Sequence, residues 1–111
     1  MFHEKLNCYT QSVEVAEDFS KEVAKWPRGY GYLADQLRRA VSSITLNIAE
    51  GNAKFSQPER RRFFKIARAS TAEVGACIDL MRAFRLISPV ESCALKSRLE
   101  AISKMLWGLM R

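Results

Sequence analysis

The fold is decided by the stretch SITLNIAEG, residues 43–51. Its two isoleucines, Ile44 and Ile48, continue a stripe of apolar residues spaced three or four apart, the pattern of a helix with one buried face. The whole stripe comprises Leu33, Leu37, Ala40, Val41, Ile44 and Ile48. Gly51 and Asn52 tolerate the left-handed conformation common at helix ends. The pattern therefore predicts a helix from about residue 31 to residue 50.

Three further segments show the same helical periodicity. The first runs from about residue 5 to residue 25, and WPRG at 26–29 ends it. The third and fourth begin at SQPE (56–59) and SPVE (88–91), which both fit the Ser-x-x-Glu capping box. The predicted core faces are Cys8, Ser12, Val15, Phe19, Val23 and Trp26 in the first segment, Phe63, Ile66, Ala67, Ser70, Val74, Cys77, Met81 and Phe84 in the third, and Leu95, Leu99, Ile102, Leu106 and Leu109 in the fourth.

Long amphipathic helices joined by short connections favour antiparallel neighbours. No stretch has the alternating pattern of a strand, and the three prolines fall at segment boundaries. A chain of 111 residues fits one domain. We predict an all-α protein, an antiparallel up-and-down four-helix bundle that forms a single domain over residues 1–111.

Several classes of protein are disfavoured by composition. The longest uncharged stretch, residues 40–49, is too short to span a bilayer, and no apolar segment follows the N-terminus, so we expect a cytoplasmic protein without a membrane partner. Cys8, Cys77 and Cys93 lack metal-ligand spacing, so we expect no metal and three reduced thiols packed as small hydrophobes. No glycine-rich phosphate loop and no nucleophile–base set is present, so we expect neither a cofactor nor catalysis.

Positive charge is concentrated in one part of the chain. The formal net charge is +6, but residues 1–27 carry three basic and five acidic side chains, a net charge of −2. Residues 56–86 carry seven basic and three acidic side chains, a net charge of +4. A basic excess confined to one element favours an anionic partner.

The third segment carries the basic residues that we single out. Arg61, Lys65 and Arg68 fall on one side of the predicted helix, and Arg60, Arg62 and Lys54 flank them. Such a row binds phosphates without sequence preference and with strong salt dependence. The alternative is a solvated polar face that binds nothing, and the sequence leaves both interpretations open. The predicted nucleic-acid-binding residues are Lys54, Arg60, Arg61, Arg62, Lys65 and Arg68.

Three apolar residues point away from the predicted core stripes: Leu46, Phe64 and Trp107. Phe64, beside the basic row, is either a platform on which bases stack or an aromatic anchor between subunits. We favour the anchor, because one assumption, oligomerisation, then explains all three residues. Gln36, Ser43 and Asn47 form a polar row on the second segment. They either line a channel or contact a ligand in an assembled ring, or form a hydrogen-bonded seam between helices or subunits, and we favour the seam. The predicted oligomer-interface residues are Leu46, Asn47, Phe64 and Trp107.

Several short strings resemble one protein family. QLRRAV (36–41), Ile44 and NIAEG (47–51), then FFKIARAS (63–70) and LWGL (106–109), resemble the small bacterial four-helix-bundle family that includes proteins encoded in intervening sequences of 23S rRNA genes. LNCY (6–9) departs from the tryptophan-containing string of many members, and Trp107 stands where a smaller polar residue is usual. The accessory variability protein of diversity-generating retroelements, a pentameric barrel that works with a reverse transcriptase and RNA, is a distant branch.

The resemblance implies a ring-like homo-oligomer, with a pentamer favoured, and a role with RNA or DNA but no enzymatic activity. Two functional hypotheses follow. The first is an RNA- or DNA-binding accessory protein that uses the basic residues of the third segment. The second is a structural or protein-interaction oligomer, such as a partner of a reverse transcriptase, whose arginines pair with the acids of the first segment.

Overall fold

The computed structural model describes residues 2–111, which form four α-helices. They are α1 (Phe2–Val23), α2 (Gly31–Ala53), α3 (Gln57–Ala83) and α4 (Pro89–Leu109). Helix α1 packs against α2 and α4, and α3 packs against the same two helices, so the four surround one core. No strand occurs in this part of the chain. The predicted all-α four-helix bundle is confirmed.

The helix ends follow from local chemistry that the sequence contains. Ser88 accepts a hydrogen bond from the Glu91 amide at 3.0 Å, and the Glu91 carboxylate accepts one from the Ser88 amide at 2.9 Å, which is a complete capping box. Hydrogen bonds to the Glu91 carboxylate, first from the Ser88 amide and second from the Ser88 side chain, also hold the pKa of Glu91 below its usual value. Ser56 accepts from the Glu59 amide at 3.3 Å, but the Glu59 carboxylate accepts from the Ser56 hydroxyl and not from its amide, so the predicted capping box at 56–59 is only half formed. Both predicted helix starts are confirmed.

The core stripe of α3 differs from the predicted one. Ala67, Ser70, Val74, Cys77 and Met81 are buried as expected, whereas Phe63 is half-buried and Ile66 and Phe84 are exposed. Phe64, Thr71 and Ile78 occupy the buried positions instead. In the other helices the predicted stripe residues are buried, except that Val23, Trp26 and Leu95 are partly buried at the edge of the core. The buried face of α3 is therefore rotated toward Phe64.

Gly51 does not end α2, contrary to the sequence prediction. It lies inside the helix with a negative φ and is buried, and α2 continues to Ala53. A Cβ atom at this position would lie 2.4 Å from Cε1 of Phe64, far inside van der Waals contact. The missing side chain makes room for the Phe64 ring, so glycine is required here for packing between α2 and α3 rather than for a turn.

We expect Gly51→Ala to lower the free energy of unfolding by up to about 2 kcal/mol. Overpacking that displaces a fully buried ring costs about 1–3 kcal/mol, and the higher helix propensity of alanine offsets about 1 kcal/mol of that cost. Gly75→Ala in α3 is the matched control, because a Cβ there meets no atom within 4 Å. Urea unfolding followed by circular dichroism measures both. If the two variants were stabilised alike, the contact between Gly51 and Phe64 would be wrong.

A polar seam joins α2 to α3 within the chain. Ser70 Oγ donates to Ser43 Oγ at 2.8 Å, and Asn47 Nδ2 donates to the Ser43 carbonyl oxygen at 2.8 Å. Gln36, the remaining member of the predicted polar row, accepts from Arg39 on its own helix. Ser43 thus serves a helix–helix seam, one of the two roles predicted for that row.

Within residues 2–111, no helix has an apolar window long enough to cross a membrane.

Candidate nucleic-acid interface

The six predicted phosphate-binding residues gather at one end of the bundle. Lys54 follows α2 directly, and the five others lie in the first four turns of α3. Five of the six residues fall into two groups on either side of α3, and Arg60 belongs to neither group. We call Arg61, Lys65 and Arg68 the α4-side row, and Lys54, Arg62 and the aromatic ring between them the Phe63 cluster.

The α4-side row is positioned by the last turns of α4. Arg61 Nε donates to the Met110 carbonyl oxygen at 2.8 Å, and Arg68 Nε donates to Ser103 Oγ at 3.2 Å. The Arg68 guanidinium also lies 4.9 Å from the centre of the Trp107 ring. Each guanidinium carries five N–H donors. One bond to α4 therefore orients each group and leaves donors for a phosphate.

The Phe63 cluster lies at the connection between α2 and α3. Lys54 Nζ is 5.3 Å and Arg62 Cζ is 5.1 Å from the centre of the Phe63 ring, so both cations contact the aromatic face. Lys54 Nζ also lies 3.7 Å from a carboxylate oxygen of Glu50, one helical turn away. Arg60 Nε donates to the Lys54 carbonyl oxygen at 2.9 Å. This hydrogen bond holds the backbone of the connection against α3.

Five of the six basic residues at this end have no ion-pair partner in the described chain, and the sixth, Lys54, is paired with Glu50. Among residues 2–111, no carboxylate lies within 4.0 Å of a side-chain nitrogen of Arg60, Arg61, Arg62, Lys65 or Arg68. Elsewhere in the described chain, some basic residues have acidic partners, as in the ion pairs Arg38–Asp35, Lys96–Asp79 and Arg98–Asp18, and others, such as Lys21 and Arg39, have none. The five cations near the start of α3 are therefore not engaged in ion pairs within residues 2–111.

An open groove of about 670 Å³ between α3 and α4 continues from the α4-side row. Lys65 and Arg68 line one end, and Asp79 and Glu100 line the groove farther along. Lys96 also lines the groove, and its ammonium is paired with Asp79 at 2.9 Å. The positive potential is thus concentrated at the end of the groove formed by Lys65 and Arg68.

The predicted oligomer-interface residues do not share one environment. Leu46 is 64% exposed and Trp107 is 53% exposed, so both point away from the core as expected. Asn47 is half-buried, and its amide donates to Ser43 within α2. Phe64 is 0% exposed, so its assignment to an interface is wrong, as is the alternative that it stacks bases. Its ring is held in the core because Gly51 leaves space for it.

The thiols occupy two kinds of environment. Cys8 and Cys77 are buried as predicted, and burial raises the pKa of the Cys8 thiol to about 11 and raises that of Cys77 as well. Both therefore remain protonated and unreactive near neutral pH. Cys93 is exposed, so its predicted packing in the core is wrong. In the described part of the chain, no three histidine, cysteine, aspartate or glutamate residues are grouped to hold a metal ion.

One exposed aromatic residue at this end was not predicted from the sequence. Phe55 lies between Lys54 and α3, and it is 95% exposed. The sequence contained a signal for Phe55, because an aromatic residue in a short connection belongs to no helix face, and this one directly follows Lys54.

Comparisons with known proteins place these features in context. Residues 4–108 match the family model described as 23S rRNA-intervening sequence protein. A crystal structure of a protein of unknown function, from the S23 ribosomal protein family of Bacteroides thetaiotaomicron, superposes with a TM-score of 0.84 at 18% identity. That alignment covers 96% of this chain and 97% of the other, and at this identity it shows a shared fold. No curated protein matches the sequence.

Proposed function

The chain belongs to the family of 23S rRNA-intervening sequence proteins, and from this premise we propose that it is a non-enzymatic, RNA-binding accessory protein. It binds RNA phosphates through the α4-side row, the cations of the Phe63 cluster and Arg60. Ribosomal RNA as the ligand is consistent with the cytoplasmic location that the sequence suggests.

The observation that supports RNA binding most directly is the group of α3 cations without acidic partners. Cations that already pair with carboxylates must break those pairs before they contact phosphate, whereas Arg61, Lys65 and Arg68 need not. Each phosphate they neutralise releases condensed counterions, which drives association at low salt. The preset guanidinium positions of Arg61 and Arg68 lower the conformational cost of that contact.

We further propose that the bundle is antiparallel and assembles with copies of itself into a ring. Support for the antiparallel arrangement comes from contacts whose residue numbers rise on one helix and fall on its neighbour. These are Gly51–Phe64 and Ser43–Ser70 between α2 and α3, and Arg61–Met110, Arg68–Ser103 and Asp79–Lys96 between α3 and α4. Exposed Leu46 and Trp107 support a contact between copies.

Light scattering after size-exclusion chromatography tests the proposal, with and without a structured 23S rRNA fragment. At low salt we expect one complex whose mass exceeds that of the protein by the mass of bound RNA, and at high salt we expect the two to separate. The protein alone should elute as a multiple of 12.7 kDa. Absence of a complex at low salt would overturn RNA binding, and the mass of a single chain would overturn the ring.

The second candidate is a structural or protein-interaction oligomer, for example a partner of a reverse transcriptase. The stacking of Arg68 on exposed Trp107 supports it, because an interface at Trp107 would also cover this arginine. Under this hypothesis, replacing the α4-side row with acids dissociates the oligomer, and the unmodified protein never binds RNA. The same light-scattering experiment therefore separates the two candidates.

A further inference from the structure

Phe55 is the most exposed large hydrophobic side chain in the described chain, at 95%. A single exposed apolar residue is ordinary on a protein surface and requires no explanation by itself. Phe55 differs because of its position, in the three-residue connection between Ala53 and Gln57, where neither helix offers it a buried face. Its ring is therefore available to a ligand that approaches the α2–α3 end of the bundle.

The surroundings of Phe55 are cationic and structurally fixed. Lys54 precedes it and contacts the Phe63 ring together with Arg62. The backbone of the connection is held by the bond from Arg60 Nε to the Lys54 carbonyl oxygen. An accessible aromatic ring amid anchored cations is the arrangement with which proteins bind single-stranded nucleic acid, since the cations hold phosphates and the ring stacks on a base.

We propose that Phe55 stacks on an unpaired base of single-stranded RNA whose phosphates are held by Lys54, Arg62 and the α4-side row. This inference rests on the proposed RNA binding and specifies the form of RNA that the site prefers. A base inside a duplex is stacked on both sides and offers no free face to Phe55, whereas bases in loops and at ends do. Every base has such a face, so the contact adds affinity without specifying sequence.

The test compares a single-stranded oligonucleotide with the fully paired duplex of the same strand, by fluorescence anisotropy over a range of salt concentrations. We expect Phe55→Ala to weaken binding to the single strand roughly tenfold at every salt concentration, because stacking releases no counterions. Its affinity for the duplex should equal that of the unmodified protein. Val90→Ala is the matched control, because Val90 is 79% exposed but lies in the first turn of α4, outside the end of the bundle where the α3 cations lie.

Phe55→Trp supplies a second readout. We expect it to keep the affinity of the unmodified protein and to show a loss of indole emission on binding the single strand, beyond any change in Trp26 and Trp107. Unchanged binding by Phe55→Ala would overturn the stacking role while leaving phosphate binding intact. A change in oligomer mass in that variant would make Phe55 a protein contact and overturn it too. Failure of the unmodified protein to bind either RNA at low salt would instead overturn the proposed function.

Discussion

Phe64→Ala is expected to lower the free energy of unfolding by about 3–5 kcal/mol, the usual cost of removing a fully buried phenylalanine ring. The Phe64 side chain has no solvent exposure and fills the space that Gly51 leaves on α2. Folded domains have a total stability of about 5–15 kcal/mol, so this one change removes a large part of it. Urea unfolding monitored by circular dichroism measures the loss.

The adjacent residue provides the control. Phe63 is half-buried and contacts Lys54 and Arg62, so Phe63→Ala should cost only about 1 kcal/mol, mostly from lost cation–π contact and partial burial. Two identical side chains at neighbouring positions are thus expected to differ severalfold in their effect. If Phe63→Ala proved the more destabilising variant, the register of α3 described above would be wrong.

Charge reversal of the α4-side row should abolish RNA binding under ordinary conditions. The variant combines Arg61→Glu, Lys65→Glu and Arg68→Glu, and it changes the formal net charge from +6 to 0. A hydrogen bond to a charged group is worth about 1.5 kcal/mol or more, so losing three such contacts weakens binding by about a thousandfold. Fluorescence anisotropy with a labelled 23S rRNA fragment measures the change.

A second triple variant controls for net charge alone. Lys21→Glu, Arg38→Glu and Arg39→Glu together also bring the net charge to 0, at exposed positions of α1 and α2. We expect this variant to retain most of the affinity, since these residues lie outside the basic end of the bundle. Equal losses in both variants would show that binding depends on total charge rather than on this surface. Circular dichroism and light scattering confirm that each variant remains folded and assembled.

The number of helices and the starts of α3 and α4 follow from local patterns that the sequence displays. Ser56 and Ser88 begin helices because their side chains cap backbone amides three residues away, an interaction that needs no distant partner. All six residues of the predicted α2 stripe are buried, because they share one face of the helix, but the buried Ala34 and Gly51 were not included in that prediction.

The register of α3 could not be predicted in the same way. Two apolar stripes lie side by side on this helix, one through Phe63 and Ile66 and one through Phe64 and Ile78, and both have helical spacing. The stripe through Phe64 is the buried one, because the missing side chain of Gly51 on α2 leaves space for the Phe64 ring. Local propensity favours a glycine as a helix stop, and here the contact between helices overrides that preference.

In the candidate site, too, some features follow from the local sequence and others depend on contacts between helices. The cations of α3 were found from charge alone, since they are consecutive or nearly so in the sequence. The groups that orient them are carried by α4, because Arg61 bonds to Met110 and Arg68 to Ser103, residues 49 and 35 positions away. Sequence periodicity contains no information about which helix end lies beside which, so these contacts required the structure.

The dependence of RNA affinity on salt concentration, measured for single charge-neutralising variants, tests the central claim most directly. The claim is that unpaired cations of α3 contact RNA phosphates. We expect Arg61→Gln, Lys65→Gln and Arg68→Gln each to reduce the slope of log K against log salt by about 1, as for the loss of one phosphate contact. Lys96→Gln should leave the slope unchanged, because Lys96 is paired with Asp79. Slopes equal to that of the unmodified protein in all three α3 variants would contradict the claim.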